Sequence, residues 1–424
     1  MATIKNWLNR NDAELVVLPG CAHVKALEKQ PTSYDPTVLL YANKFATSYT
    51  INDNLVAMDL KILPQQRDPL GGLTEWGKGE QSVIVASPRQ RFETIPISNT
   101  KLPRSMMSTG ACTLPHYQKN RIGGMAARDH VIGGIVVEAA NGLFHSRHVQ
   151  AYEDGSFIDL ANVDSRNPGA IKYLPNGEIE YVRPEALVCG DVHGDLLDPA
   201  AWRATQELIR LTRPKVFIIN EICDGNTFNP HEKGRALDLA VQRFPSMEYE
   251  FTATRAVFDV IVDYCTAHDC KVIVLESNHD RFFERHLTSM DWRLDATNLS
   301  FCAKMFVRQL EHDDALQNYI DPDNRAEWVG DRQDLFIGGF FIAHGDIGTG
   351  GSKGSLKQIS KITRSVTHHS HKPGILNGSV QGGCLCALDQ KYNKGFKGWL
   401  HSNTLIYPES HFSHVVIIDG EWRG

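Results

Sequence analysis

Residues 186–195 read ALVCGDVHGD, and this stretch sets the expectation for the whole fold. Its first half is a short apolar run of the kind that forms a buried strand, and its second half is a polar turn containing Asp191 and His193. The same arrangement recurs at 215–225, KVFIINEICDG, and at 271–280, KVIVLESNHD. Buried strands that each end in a polar turn are typical of an α/β domain that binds its ligand at the strand ends.

Helical segments separate these strands. The stretch DPAAWRATQELIRL at 198–211 is amphipathic, and 236–268 has a largely helical pattern. Further strands are predicted from three later apolar runs, at 335–346, 404–408 and 414–420. This alternation predicts an α/β (or α+β) domain over 185–424.

The first 184 residues differ in character. They are rich in Gly, Pro, Asn and Thr, and their short apolar runs are bounded by turn residues, as in β-structure. The runs lie at 13–20, 36–42, 82–87 and 130–139. We therefore expect 1–184 to form a mostly β accessory or substrate-binding region.

Composition excludes several classes of protein. The 424 residues carry a formal charge of −6 and are 42% hydrophobic, which argues against a disordered chain or a strongly basic, histone-like binder. No run of 18 apolar residues occurs, so no membrane association is expected, and the charged start lacks the apolar core of a signal peptide. Nine cysteines without a CxxC pair suit free thiols in the cytoplasm, and the isolated pair Cys384 and Cys386 does not predict a zinc site.

Polar side chains gather where the predicted strands end. These groups are Asp191 and His193; Asn220, Glu221 and Asp224; Asn278, His279 and Asp280; His344 and Asp346; and His368, His369 and His371. Each group alone could be an ordinary polar terminus, but five in succession indicate one shared site. Carboxylate, imidazole and amide ligands together suit divalent metals such as Mn²⁺, Fe²⁺ or Zn²⁺.

This set of motifs resembles the calcineurin-like metallophosphoesterase superfamily, whose pattern runs DxH, GDxxD, GNHD or GNHE, GH and GHTH. The order and the strand context match over about 186–420. The resemblance implies that 185–424 is the catalytic domain, built as a β-sandwich flanked by helices. It also implies a hydrolase with two divalent metal ions, with Mn²⁺ expected first and Mg²⁺, Fe²⁺ or Zn²⁺ as alternatives.

Carried over residue by residue, the resemblance implies two overlapping ligand sets. One ion would be held by Asp191, His193, Glu221 and His371, and the other by Glu221, Asn278, His344 and His369. His279 would act as a general acid on the leaving oxygen, and Asp280 would orient it. A hydroxide bridging the ions would attack the phosphorus.

The sequence departs from the superfamily pattern at several positions. Glu221 replaces the bridging Asp and is one methylene longer, while Asn220 and Ser277 stand where Gly is usual. Gly225 replaces an Arg that grips phosphate in many protein phosphatases, which disfavours that activity. The choice of His369 and His371 over His368 as ligands follows from the x-His-x-His spacing.

Two further segments are similar to phage-encoded members of the superfamily that are related to repair-type DNA nucleases. These are NTFNPH at 226–231 and KYNKGFKGWLHSN at 391–403. This similarity implies a nuclease working in the host cytoplasm.

Charge patterning favours DNA as the substrate. The window 81–128 contains seven basic residues but Glu93 as its single acid, and Phe92, His116 and Tyr117 could stack on bases. A solvated basic loop explains the same pattern equally well. Lysines and aromatic residues also interleave at 391–399, which likewise favours nucleic-acid binding. The alternative interpretation of this segment is a simple hairpin with a packed aromatic residue. Candidate substrate-binding residues near the motifs are Asn229, His231, Arg281 and Lys372.

The leading hypothesis is a metal-dependent DNase. One alternative is a phosphohydrolase of small nucleotides or phosphomonoesters. An alternative of another class is a non-catalytic binding or assembly protein, in which Glu221 marks a decayed metal site. Homo-oligomerisation stays open.

Overall fold

The computed structural model describes residues 1–20, 47–73, 81–98, 104–229, 246–312, 314–390 and 395–423. The strand predicted at 36–42 and the first part of the helix predicted at 236–268 lie outside these residues, as does His231.

The strands before residue 185 are β1 (Ser48–Asn52), β2 (Leu55–Met58), β3 (Ser82–Val85), β4 (Ser87–Ile95), β5 (Arg104–Gly110), β6 (Gly133–Ala140), β7 (Leu143–Gln150), β8 (Phe157–Asp159), β9 (Ala170–Tyr173) and β10 (Ile179–Val182). Those after it are β11 (Ala186–Val188), β12 (Val216–Asn220), β13 (Lys271–Leu275), β14 (Glu327–Val329), β15 (Leu335–Ile337), β16 (Phe340–Ile342), β17 (Ser365–Thr367), β18 (Gly374–Leu376), β19 (Ser379–Gln381), β20 (His401–Tyr407) and β21 (His411–Ile417).

The helices are α1 (Ala2–Asn11), α2 (Arg121–Arg128), α3 (Pro199–Thr212), α4 (Met247–Ala267), α5 (Asn278–Ser289), α6 (Leu299–His312), α7 (Ala315–Ile320) and α8 (Leu356–Ile359). Within the described ranges, no helix combines the length and apolar character that crossing a bilayer requires. The amphipathic helix predicted at 198–211 is confirmed as α3, whose Asp198 caps the first turn through its side chain.

The three strands predicted from the opening motifs lie side by side in a six-stranded sheet of order β14-β13-β12-β11-β20-β21. Strands β11, β12 and β13 are parallel, with Ala186 opposite Val216 and Val216 opposite Lys271. Because parallel strands end at the same sheet edge, the polar turns after them come together. Both faces of this sheet are covered, which explains the continuous apolar runs.

One face of the six-stranded sheet packs on helices and the other packs on a second sheet. Leu187 and Phe217 belong to a core shared with the helices α3, α4 and α5. Val188 and Ile218 belong to a core shared with Phe92 and other residues of a ten-stranded sheet. The architecture is therefore mixed α/β, with two facing sheets and helices on one outer face.

The ten-stranded sheet joins the two regions that the sequence separates at residue 184. Its order is β1-β2-β3-β5-β4-β18-β19-β17-β16-β15. Strand β4 of the N-terminal region pairs with β18, with Phe92 opposite Ile375. The region 1–184 is thus rich in strands but completes the sandwich and is not a separate lobe.

Two features of the N-terminal region differ from the sequence prediction. The strand predicted at 13–20 is wrong, because this segment is irregular with one isolated bridge residue. Helix α1 was not predicted, although Ile4 and Trp7 have helical spacing and pack against Phe157 and Tyr173.

A truncated chain starting at residue 185 is expected to fail to fold. It would leave the edge of β18 unpaired and expose the core face that Phe92 and Met107 cover, both of them buried in the whole protein. Circular dichroism with thermal melting should show no cooperative transition. A monomeric fragment that melts cooperatively would contradict this account of the shared sheet.

Candidate metal centre

The first polar turn reaches the site because the chain passes very close to a later segment. Gly190 follows β11, and a Cβ at this position would lie 2.6 Å from the main-chain carbon of Cys384. Glycine therefore permits an approach that no other residue could make without movement. The main-chain N–H of Leu385 donates to the main-chain carbonyl oxygen of Asp191 at 2.8 Å, and this hydrogen bond holds the two segments together.

Four of the predicted ligands have left-handed backbone conformations. The φ angles are 56° at His193, 50° at Glu221, 74° at His369 and 55° at His371. Such conformations cost non-glycine residues about 1–3 kcal/mol each, and they cluster at functional sites. Local propensity does not explain these four turns, so we attribute them to the need to aim the side chains at one point.

The first predicted ligand set forms one compact group. Asp191, His193, Glu221 and His371 are all buried, and each offers a ligand atom within 4.8 Å of the others. Nε2 of His371 lies 3.2 Å from Oδ2 of Asp191. The Nε2 atoms of His193 and His371 are 3.0 Å apart.

Glu221 lies at the centre of the histidines. Its Oε2 is 2.9 Å from Nε2 of His193 and 3.6 Å from Nε2 of His371. Its Oε1 is 3.5 Å from Nε2 of His279 and 3.7 Å from Nε2 of His344. Each carboxylate oxygen thus faces a different pair of imidazoles, as a group shared by two ligand sets would.

The second predicted set is a chain of contacts on the Oε1 side of Glu221. Nε2 of His344 is 3.0 Å from Oδ1 of Asn278, and Nδ1 of His369 is 3.2 Å from the same His344 nitrogen. The main-chain N–H of His369 donates to Oδ2 of Asp191 at 3.0 Å, which links the two sets.

Unpaired buried oxygen atoms at this centre fit a cation. Within the described residues, Oδ1 of Asp191 and Oε1 of Glu221 have no hydrogen-bond partner. Burying such an oxygen without a partner is costly, and a divalent cation would satisfy it. The ligand types suit Mn²⁺, Fe²⁺ or Zn²⁺.

Opposite charges at the centre shift the pKa values strongly. Burial alone would lower the pKa of His193, but Glu221 and Asp224 raise it well above its usual range. Burial also opposes protonation of His371, yet hydrogen bonds to Asp191 and Glu221 raise its pKa to about 9. A cation would take the place of these protons opposite the same carboxylates, so its binding would release protons.

His279 lies beside the first ligand set and is 16% exposed. Its Nδ1 contacts the main-chain oxygen of Asp224. The prediction that Asp280 orients this ring is therefore corrected. The Asp280 carboxylate instead accepts from the N–H of Ser277 at 2.8 Å and completes a capping box at the start of α5, and burial raises its pKa to about 8.

Asp224 makes two contacts that position histidines of the centre, and the sequence had not predicted a role for this residue. Its Oδ1 lies 2.6 Å from Nδ1 of His193, so the other nitrogen, Nε2, faces Glu221. Its main-chain oxygen holds His279, as described above. The signal was present, because Asp224 follows Glu221 by three residues within the second motif.

Replacing Asp224 with Asn is expected to weaken metal binding by about 10–100-fold, the usual cost of losing the carboxylate behind a ligand histidine. The affinity would be measured by competition with a chelating dye. Asp195→Asn, a substitution of another aspartate near His193, is the matched control. An Asp224→Asn protein that binds metal as tightly as the wild type would contradict the positioning role.

The departures from the superfamily pattern have local explanations. The amide of Asn220 donates to the oxygen of Cys189 at 2.9 Å, and the hydroxyl of Ser277 accepts from the N–H of Asp280. Neither residue has a positive φ, so neither turn requires glycine. His368 is buried, burial lowers its pKa to about 4, and its ring nitrogens have no hydrogen-bond partner in the described part of the chain.

The predicted substrate-binding residues differ in their surroundings. Arg281 pairs with Asp346, so its charge is already balanced. Lys372 is exposed directly after the last ligand, and Asn229 is partly buried in the turn after β12. Lys372 is therefore the one of these three whose charge faces solvent beside the centre.

The basic window 81–128 is less open than its composition predicts. Arg89 pairs with Asp129 at 3.2 Å and Arg91 with Asp68 at 3.3 Å, and both acids lie outside the window. The expectation that Phe92 stacks on bases is wrong, because its side chain is buried against His414. Exposed residues of the window include His116, Lys119 and Arg121, while Lys101 lies outside the described residues.

Comparison with known proteins gives one distant similarity. The chain is 26% identical over 380 residues to Protein A1 of Escherichia phage T5, a match that covers 82% of this chain and 66% of that protein. No family model matches the chain. No solved structure matches it either. The similarity to a phage protein agrees with the expected resemblance to phage-encoded proteins.

Proposed function

We propose that the protein is a metal-dependent phosphodiesterase of the calcineurin-like metallophosphoesterase type, and that its substrate is DNA. The observation that carries the proposal is the convergence of four buried ligands, Asp191, His193, Glu221 and His371, with His279 beside them. Asn278, His344 and His369 would hold a second ion together with Glu221. When bound, such ions activate water and polarise a phosphoryl group.

The residues of the chain would supply orientation and a proton. With Nδ1 held by the main-chain oxygen of Asp224, a protonated His279 carries its second proton on Nε2, which lies 3.5 Å from Oε1 of Glu221 at the centre. That proton would pass to the leaving oxygen as the ester bond breaks. Lys372 would attract the phosphate backbone from its exposed position after His371.

DNA is favoured over a small ester by the exposed cations Lys119, Arg121 and Lys372. The absence of an arginine at Gly225 further disfavours a protein phosphatase. The similarity to a phage protein supports a role in an infected cell.

The substrate class can be tested with chromogenic esters. Bis-p-nitrophenyl phosphate is expected to be hydrolysed faster than p-nitrophenyl phosphate, since the proposal is a diesterase, and plasmid DNA should compete with the diester. Preference for the monoester would instead favour the small-phosphoester alternative. No hydrolysis of either ester or of DNA, with no metal bound, would favour the non-catalytic alternative.

A further inference from the structure

Cys386 lies against the candidate metal centre, although no sequence motif marks it. Its Sγ and one ring nitrogen from each of His193 and His371 lie within 4.8 Å of one another, and all three residues are buried. The same two histidines contact Glu221, so the sulfur lies against imidazoles that the first ligand set already uses.

The surroundings hold this sulfur in place. Nε2 of Gln390 donates a hydrogen bond to Sγ at 3.0 Å, and Gln390 is itself buried. The carbonyl oxygen of Cys386 is 2.9 Å from Nε2 of His401. A hydrogen bond to the ligand atom and a hydrogen bond to the carbonyl oxygen of the same residue are outer supports of the kind that metal ligands usually have.

We propose that Cys386 is a sulfur ligand of the metal ion that His193 and His371 hold. This rests on the proposal that the centre binds metal, but not on the reaction it performs. As the sulfur–metal bond forms, the S–H bond breaks and its proton passes to solvent. Ligands about 2.0–2.3 Å from a common ion lie roughly 3.3–3.8 Å apart, so the group needs side-chain adjustments of about 1 Å.

A sulfur ligand changes which metal the centre prefers. Thiolates select Zn²⁺ or iron over Mn²⁺ and Mg²⁺, which favour oxygen ligands. The ion on the His193 and His371 side is therefore Zn²⁺ or Fe²⁺, whereas the set containing Asn278 and His344 keeps oxygen and nitrogen ligands only. Mn²⁺, the ion that the superfamily resemblance implies first, is disfavoured on this side of the centre.

The test is the absorption spectrum of the whole protein loaded with Co²⁺, with bound cobalt measured by elemental analysis. A near-ultraviolet sulfur-to-cobalt charge-transfer band is expected in the wild type. It should be lost in Cys386→Ser and retained in Cys384→Ser, a substitution of the other buried cysteine of the same segment.

The outcomes separate this inference from the proposed function. If the wild type binds cobalt but lacks the charge-transfer band, the proposal of a sulfur ligand is wrong, whereas the proposal of a metal centre is supported. A band that survives Cys386→Ser, or disappears only in Cys384→Ser, overturns it as well. A wild type that binds no cobalt overturns both proposals. If Cys386→Ser does not fold, the Cys384→Ser protein decides the matter, because a band retained there supports Cys386 as the ligand and a band lost there overturns it.

Discussion

A Glu221→Ala protein is expected to lose its metal and its activity together. The carboxylate lies within 2.9–3.7 Å of imidazole nitrogens from His193, His279, His344 and His371, so its removal leaves these rings without their shared acceptor. Losing a carboxylate behind a ligand costs about 10–100-fold in affinity, and loss of a direct ligand should cost more. Metal content by elemental analysis and the rate of diester hydrolysis are the measurements.

Two controls make this result specific. Glu180→Ala removes an exposed glutamate from β10 and should leave metal content unchanged. Glu221→Asp restores the residue type that the superfamily pattern has and should keep part of the metal. A Glu221→Ala protein with full metal content would contradict the central place given to this side chain.

A His279→Ala protein is expected to keep its metal but lose most of its turnover. The ring is held by the main-chain oxygen of Asp224, lies beside Glu221 and is 16% exposed, so we expect it to be accessible to a leaving oxygen of the substrate. Loss of a general acid lowers the rate by about 10²–10⁴-fold. The turnover number and the metal content would be measured on the same sample, with the exposed His312→Ala as the control.

The position of the His279 ring also allows a second role, that of a metal ligand. His193, Asp224 and His279 form a third group whose ligand atoms lie within 4.8 Å of one another. If His279 were a ligand in that group, its removal would lower the metal content. Loss of bound metal in His279→Ala would therefore contradict the assignment as a general acid.

The sequence predicted the parts of the site that local pattern controls. Strands β11, β12 and β13 are apolar apart from Asn220 at the end of β12 and Lys271 at the start of β13, because the sheet is covered on both faces. This makes their ends easy to find. Glu221 directly follows the end of β12, and Asp191 and Asn278 come three residues after the ends of β11 and β13. Their convergence follows from the parallel pairing of the strands.

The parts that were missed depend on contacts between distant segments. The pairing of β4 with β18 joins Phe92 to Ile375, and no local pattern in either strand specifies its partner. Cys386 approaches His193 only because Gly190 lets two segments pass closely. The charge of Arg91 is balanced by Asp68. Asp68 lies outside the window 81–128, so the charge count of that window did not include it.

The central claim is that the buried centre performs metal-dependent cleavage of DNA. The most direct measurement incubates linear and circular DNA with the wild type and with Asp191→Ala, each with Mn²⁺, Mg²⁺, Zn²⁺ or EDTA. The wild type is expected to cleave DNA only with a divalent metal and to stop in EDTA, and Asp191→Ala is expected not to cleave it. Cleavage that persists in EDTA or in Asp191→Ala, or no cleavage with any metal, would contradict it.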